Sequence, residues 1–203
     1  MMAPRLLSLL CATTLAAACS ILPEPRPIDI WLLPAAAHTT TPAPEPRPWS
    51  LRLARPVAAG HLATQRIVVA PAPDQISVYK GANWNEPAPL LLRNRLLDAF
   101  RADGRIAALS TDEQRVFADF ELVSDLRAFQ SEYRAAHEPP EILIRLDARL
   151  LDSANRRIVA SQRFEVRVRA GDERVAEVVK AFGNAADALS DALVSWVVGA
   201  GDR

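Results

Sequence analysis

The sequence predicts an α+β fold, a two-layer sandwich in which a mainly antiparallel sheet carries two helices on one face. Residues 141–151 and 156–169 alternate apolar and polar side chains on either side of a turn, as the two strands of a β-hairpin do. Residues 88–102 and a segment of roughly 25 residues after Gly171 have apolar side chains at three-four spacing, as amphipathic helices do. Shorter strand-like runs precede the hairpin at 50–57, 66–70, 76–79, 105–109 and 117–133.

Several elements have boundary signals of their own. Residues 81–83, Gly-Ala-Asn, predict a turn after the 76–79 strand. Pro87 near the start and Gly104 just past the end bracket the first helix. The run over 117–133 is long and only partly alternating, which predicts a bent or bulged strand.

The composition shows no strong charge bias and leaves little room for metal chemistry. The 203 residues include 24 Lys or Arg and 24 Asp or Glu, so the net charge gives no indication of a nucleic-acid partner. Both cysteines, Cys11 and Cys19, lie in the first twenty residues, which excludes a disulfide framework or a cysteine-ligated metal in the body of the chain. The three histidines share no ligand spacing, and we predict no metal site and no cofactor.

The first 18 residues have the pattern of a signal peptide. The apolar run over 6–18 follows Arg5 and is shorter than the roughly 20 residues that a transmembrane helix needs. It ends in Leu-Ala-Ala-Ala-Cys at 15–19, which resembles a bacterial lipobox and predicts acylation of Cys19. The alternative is ordinary secretion after cleavage at an Ala-x-Ala site. Ser20 stands where an Asp would signal retention in the inner membrane, and this favours the outer membrane.

Residues 19–49 are predicted to form a lipid-anchored tether rich in Pro and Ala. Such a composition buries too little apolar surface to fold, and Pro-rich chain is extended. Within the tether, 28–33 alternates like a short strand, and we expect it to dock on the domain; the alternative is an apolar patch left in solvent. The α+β domain is predicted over 50–203, and deletion of 35–48 is expected to leave its folding intact.

The sequence contains no catalytic constellation, since it lacks a G-x-S-x-G elbow, a Gly-rich phosphate loop and an H-E-x-x-H motif; we therefore predict that the protein is not an enzyme. Two features are candidate partner-binding sites. Trp84 and Glu86 precede the first helix, where they either pack and cap locally or contact a partner. The polar face of the hairpin is either merely solvated or docks an acidic partner or anionic headgroups. Its arginines are Arg145, Arg149, Arg163, Arg167 and Arg169.

The order of the motifs resembles one known family. The features are the lipobox, Trp-Leu-Leu at 31–33, Arg-Ile-Val-Val at 66–69 and Trp-x-Glu-Pro at 84–87, followed by the hairpin and a helix that contains Trp196. This set is similar to the ABC-type transport auxiliary lipoprotein family, the PqiC-like partners of MCE-domain lipid transport systems. The Pro-Ala-Thr stretch at 35–48 departs from the family pattern.

The resemblance implies a non-enzymatic lipoprotein of a Gram-negative outer membrane that faces the periplasm and docks the MCE component of an intermembrane lipid transport system. The implied partners are the outer membrane through the acyl anchor, an MCE-domain protein and an inner-membrane transport component. The alternative is a periplasmic carrier that holds a lipid between sheet and helices, which requires a cavity of at least about 300 Å³.

Overall fold

The computed structural model describes residues 27–35, 45–134 and 138–203. These residues form nine strands and two α-helices in an α+β arrangement, which confirms the predicted fold class. The helices are α1 (Ala88–Asp103) and α2 (Val175–Gly201), and a short 3-10 helix covers Asp112–Gln114. The strands are β1 (Asp29–Trp31), β2 (Leu51–Leu53), β3 (Val57–Ala58), β4 (Arg66–Ala72), β5 (Gln75–Trp84), β6 (Leu109–Thr111), β7 (Phe120–Glu132), β8 (Glu141–Asp152) and β9 (Arg157–Arg169).

The sheet is organised around β7. One edge of β7 pairs along its whole length with β8, and β8 pairs with β9, both antiparallel. The other edge pairs in succession with β2, β3 and β4, all parallel. The sheet continues from β4 to an antiparallel β5 and then to a parallel β1, and from β2 to a parallel β6. It is therefore mixed, with long antiparallel strands on one side and short parallel segments on the other.

Most sequence-predicted elements are present, with three differences in detail. The hairpin, both helices and the bulge are confirmed, since the pairing of β7 with β8 shifts register between Leu126 and Ala128. Residues 81–83 do not form a turn but lie inside β5, because Gly81 takes a φ of 73° and Asn83 still pairs with Arg66. The strand predicted over 105–109 begins only at Leu109, as β6, and the one over 50–57 is divided between β2 and β3.

The helices cover one face of the sheet and close the hydrophobic core. Helix α2 packs over β8 and β9, and α1 packs beside α2. Trp84, Phe129 and Phe182 form an aromatic cluster with ring centroids 4.9–6.0 Å apart. Ile144 of β8 and Leu189 of α2 are completely buried within this layer. Buried apolar side chains of the sheet and of both helices meet in this layer and form one hydrophobic core.

The segment 27–35, which we call the N-terminal strap, is part of the folded domain. Its strand β1 pairs with β5 at the edge of the sheet, and Trp31 packs against the core. Beyond β1 the strap reaches the helices, where the Pro34 carbonyl accepts a hydrogen bond from Arg95 of α1. A Cβ at residue 183 of α2 would stand 2.8 Å from the Pro34 oxygen, so Gly183 permits this close approach.

The chain re-enters the fold at the far end of α2. The ring of Trp49 packs on Phe120, with centroids 5.2 Å apart, and lies so close to Gly201 that a Cβ there would be 2.6 Å from it. Gly183 and Gly201 are about 27 Å apart, since an α-helix rises about 1.5 Å per residue. Deleting 35–48 would leave Pro34 and Trp49 only about 3.8 Å apart. These two contacts cannot both survive the deletion of 35–48, so we now expect the deletion to release the strap or Trp49.

Candidate partner-binding surface

The outer face of β7–β9, turned away from the helices, carries the candidate arginines. In β8 the buried Ile144, Leu146 and Ala148 alternate with Arg145, Asp147 and Arg149, which therefore point outward. The register with β9 places Glu165 opposite Arg145, Arg163 opposite Asp147 and Arg167 opposite Leu143, and so brings the β9 charges to the same face.

Each arginine of the predicted row that lies on β8 or β9 has a carboxylate partner. Arg145 Nε donates to Glu165 Oε2 at 2.7 Å, and Arg149 Nη2 donates to Asp125 Oδ2 at 2.7 Å. Arg169 Nη2 donates to Glu138 Oε2 at 2.9 Å. Arg167 is the most highly connected member, with ion pairs of 2.9–3.1 Å to Glu132, Glu141 and Glu165.

Together these groups form a nearly neutral surface of three separate sets of ion pairs, which we call the charged face. It joins seven arginines to six carboxylates. The predicted arginines lie on β8 and β9, and their charge is balanced by interleaved acids. An acidic partner must therefore compete with existing ion pairs. The members are Arg127, Arg134, Arg145, Arg149, Arg163, Arg167 and Arg169, with Asp125, Glu132, Glu138, Glu141, Asp147 and Glu165.

Hydrogen bonds from arginines lower the pKa of two carboxylates of the charged face, Asp147 and Glu165, and so favour their ionised forms. Arg163 donates to Asp147 at 2.6 Å and Arg127 at 3.0 Å, and mainly the bond from Arg163 lowers the pKa of Asp147 to about 2. Bonds from Arg145 and then Arg167 lower the pKa of Glu165 in the same way. A nearby guanidinium favours the ionised form of a carboxyl group, so the ion pairs of Asp147 and Glu165 are present at neutral pH.

An open surface depression of about 400 Å³ lies over the middle of β8 and β9. Asp147, Arg149, Ser161 and Arg163 are among its lining residues. It offers both signs of charge and the Ser161 hydroxyl to a partner side chain. It does not lie between the sheet and the helices, where the carrier hypothesis requires a cavity.

The other two candidate residues do not join the charged face. Trp84 is only 1% exposed and sits in the aromatic cluster, so its side chain presents no surface to a partner. Glu86 is half-buried, and its carboxylate accepts a hydrogen bond from Asn94 Nδ2 at 3.3 Å. It does not cap α1, because the helix begins after Pro87 with no side-chain cap. Cys19 lies outside the described residues.

A buried ion pair between the helices is a feature that the sequence did not reveal. Arg95 of α1 lies 3.2 Å from Asp187 of α2, with side chains 5% and 15% exposed. Arg95 also donates to the Pro34 carbonyl, so the same guanidinium ties both helices to the strap. We call this arrangement, with Gly183, the strap clamp. An i,i+4 pattern cannot predict it, because its members are separated by more than sixty residues.

The described residues contain no cluster of three or more His, Cys, Asp or Glu that could hold a metal ion. Within the same part of the chain, neither helix is long and apolar enough to cross a membrane.

Residues 31–194 match the model of a family described as the ABC-type transport auxiliary lipoprotein component. This family is that of an auxiliary transport component and is not an enzyme class. A crystal structure of XCC0632 from Xanthomonas campestris, of the family model DUF330, is 34% identical, with a TM-score of 0.78 over 86% of this chain and 97% of that one.

Two further proteins are similar to the chain. A second crystal structure, titled only as an uncharacterized protein, has a TM-score of 0.65 and 14% identity over 85% of this chain and 99% of that one, and supports the fold alone. Protein bll6063 of Bradyrhizobium diazoefficiens, named as uncharacterized, is 31% identical over 73% of this chain. The aligned part spans 39% of that relative's length.

Proposed function

The chain belongs to the family of ABC-type transport auxiliary lipoprotein components, and we propose that it is a non-enzymatic lipoprotein anchored in the outer membrane through Cys19. In this proposal it faces the periplasm of a Gram-negative bacterium and docks the MCE component of an intermembrane lipid transport system. An inner-membrane transport component completes the system. The lipobox at 15–19 and the family membership support the anchor.

The packed interior is the observation that favours a docking role over a lipid carrier. A carrier needs an apolar cavity large enough to hold its ligand. Here the aromatic cluster of Trp84, Phe129 and Phe182 occupies the space between sheet and helices, and aliphatic side chains of β8 and α2 continue it. A lipid could enter only by displacing these side chains.

The charged face is the surface that we propose for the MCE partner. Arg163 and Arg169 keep 65% and 60% of their side chains exposed although both are ion-paired. A partner with acidic and basic groups in complementary order can exchange ion pairs with this face. Such complementarity contributes mainly to orientation and association rate, and it weakens with salt.

Co-purification tests the docking role. The tagged full-length protein is extracted from envelopes in mild detergent, and its partners and bound lipids are identified by native mass spectrometry. We expect an MCE-domain protein to co-elute and the isolated lipoprotein to carry no stoichiometric phospholipid. Stoichiometric phospholipid without an MCE-domain protein would instead establish the carrier function.

A charge reversal tests the proposed surface. The double variant Arg149→Glu, Arg167→Glu places acids beside Asp125 and Glu132. We expect it to reduce MCE co-elution at least tenfold at low salt. The matched control is Arg101→Glu on α1, where a 62% exposed arginine pairs with Asp98, three residues earlier on the same helix. If both variants retain the MCE-domain protein equally, the charged face is not the docking surface.

Cys19→Ser tests the anchor. We expect this variant to appear as a soluble periplasmic protein or as an uncleaved precursor in the inner membrane. Fractionation of the variant with the outer membrane, as for the wild type, would show that Cys19 is not the anchor.

A further inference from the structure

The outer face of the sheet is apolar, and not charged, at the edge formed by β1 and β5. In β1, Trp31 pairs with Trp84 of β5, and both rings face the core. Ile30 therefore points to the opposite face, as does Ile28 two residues earlier. Their exposures are 61% and 52%, which is high for isoleucine side chains near a strand that is otherwise well paired.

The first half of β5 continues this apolar surface. Tyr79 points toward the helix side, because its hydroxyl lies 3.0 Å from the hydroxyl of the buried Ser131. Val78 and Ile76 therefore face outward, and they are 36% and 48% exposed. We call Ile28, Ile30, Ile76 and Val78 the apolar edge.

The apolar edge also lies where the anchored end of the chain joins the fold. Only residues 20–26 separate Cys19 from Pro27, and an extended chain of that length reaches at most about 28 Å. Pro27 is already beside the edge, since its carbonyl oxygen would be 3.9 Å from a Cβ at Gly81 of β5. The strap clamp holds the chain after β1, so the Pro-rich stretch at 36–44 adds nothing to this reach.

We propose that the apolar edge contacts the surface of the membrane that holds the acyl anchor; this rests on the proposed acylation of Cys19. Aliphatic side chains enter the boundary between headgroups and acyl chains, where burial of each CH2 contributes about 0.8 kcal/mol. Lys80 of β5 is exposed, so its ammonium group is available to lipid phosphates. The domain thus lies against the membrane with β1 and β5 towards the lipid.

Site-specific labelling of the lipidated full-length protein tests this placement. The mature acylated chain has no free thiol, because Cys11 leaves with the signal peptide and Cys19 is modified. Ile76→Cys carries an environment-sensitive fluorophore, and the protein is reconstituted in phosphatidylethanolamine–phosphatidylglycerol vesicles. The matched control is Ile158→Cys in β9, where an isoleucine of 59% exposure lies at the opposite edge of the sheet.

We expect a blue-shifted emission and at least threefold stronger quenching by a lipid-borne quencher at residue 76 than at residue 158. Equal quenching at both positions, with the protein floating on the vesicles, overturns the placement and leaves the anchor intact. Failure to float overturns the anchor and the placement together. A label at residue 76 that is shielded in whole envelopes but exposed to water in the vesicles assigns the edge to a protein partner and also overturns the proposal.

Discussion

The charged face and the apolar edge lie on the same outer side of one sheet. The side chains of the charged face are paired with each other, whereas those of the apolar edge are exposed to solvent. On the charged face, Arg167 alone contacts three carboxylates. On the apolar edge, Ile30 is 61% exposed beside a strand whose other face is buried. The sequence pattern shows the arginines of the charged face, but carboxylates of the same chain neutralise them. The sequence pattern does not single out the apolar edge, whose aliphatic side chains are exposed. A surface is open to a partner when its groups have no partner within the chain.

Strand geometry accounts for the difference. The strands β7, β8 and β9 are long and antiparallel, and the β8–β9 register places Arg145 opposite Glu165 and Asp147 opposite Arg163, where they pair. The β7–β8 register places Asp125 opposite Asp147, and the nearby Arg127 pairs with both acids. The strand β1 has only three residues and runs parallel to a β5 that is kinked at Gly81. The apolar edge therefore has no continuous neighbouring strand over its outer side chains.

The largest effect is expected from deleting 35–48, which removes β1 from the apolar edge. The deletion cannot keep both Pro34 at Gly183 and Trp49 at Gly201. Release of the strap exposes Trp31 and Leu33, which are partly buried. Full burial of a large apolar side chain contributes about 1.5–3 kcal/mol, so the loss of unfolding free energy is at most about 6 kcal/mol. Urea unfolding monitored by tryptophan fluorescence measures the loss.

The control for the deletion is a same-length Gly-Ser replacement of residues 36–44, which keeps the reach between the two contacts. It should unfold at nearly the wild-type urea concentration. If the deletion and the replacement are equally stable, the strap is not held as the structure has it, and the apolar edge loses its β1 members.

A smaller loss is expected from Arg167→Glu on the charged face. The new carboxylate would face Glu132, Glu141 and Glu165 in place of three ion pairs. Partly exposed pairs contribute up to about 1 kcal/mol each, so we expect a loss of about 2 kcal/mol that shrinks in high salt. Thermal melts at two salt concentrations measure it.

Arg169→Glu is the matched variant, since Arg169 is 60% exposed and its one ion pair among the described residues is with Glu138. It should lose less than half as much stability as Arg167→Glu. Identical melting temperatures for the two variants would mean that the three ion pairs of Arg167 stabilise the fold no more than the single pair of Arg169.

The fold was predictable from the sequence where its signals are local. Alternation over 141–169 predicted the β8–β9 hairpin, and Gly104 predicted the end of α1, where it takes a φ of 73°. The parallel placement of β2, β3 and β4 along β7 was not predictable, because it depends on pairing between residues more than sixty positions apart. The turn predicted at 81–83 was wrong because glycine adopts a positive φ in a strand kink as well as in a turn, and Gly81 does so inside β5.

The candidate site was predictable only in part. Alternation placed Arg145 and Arg149 on one face, and the register of β8 with β9 bears this out. The partners of these arginines were not predictable, because Asp125 and Glu132 come from β7 and reach the same face only through the bulge between them. The strap clamp was hidden for the same reason, since Arg95, Asp187 and Pro34 lie on separate segments.

The smallest effect is expected from acid titration of the charged face. The pKa of Asp147 is lowered to about 2 in the folded protein, whereas an unfolded Asp titrates near 3.9. The stabilisation is therefore fully present above about pH 4 and is lost as the pH falls towards 2. Asp147→Asn should be less stable than the wild type at pH 6 by under about 1 kcal/mol, and the two should converge near pH 2. Urea unfolding at both pH values measures this, with Asp98→Asn on α1 as the control in an exposed pair with Arg101.

Because the apolar edge contains no carboxylate, an Ile76→Ser variant should follow the wild-type acid profile throughout. A gap between Asp147→Asn and the wild type that stays constant down to pH 2 would show that Asp147 stabilises the face by packing and not through its charge.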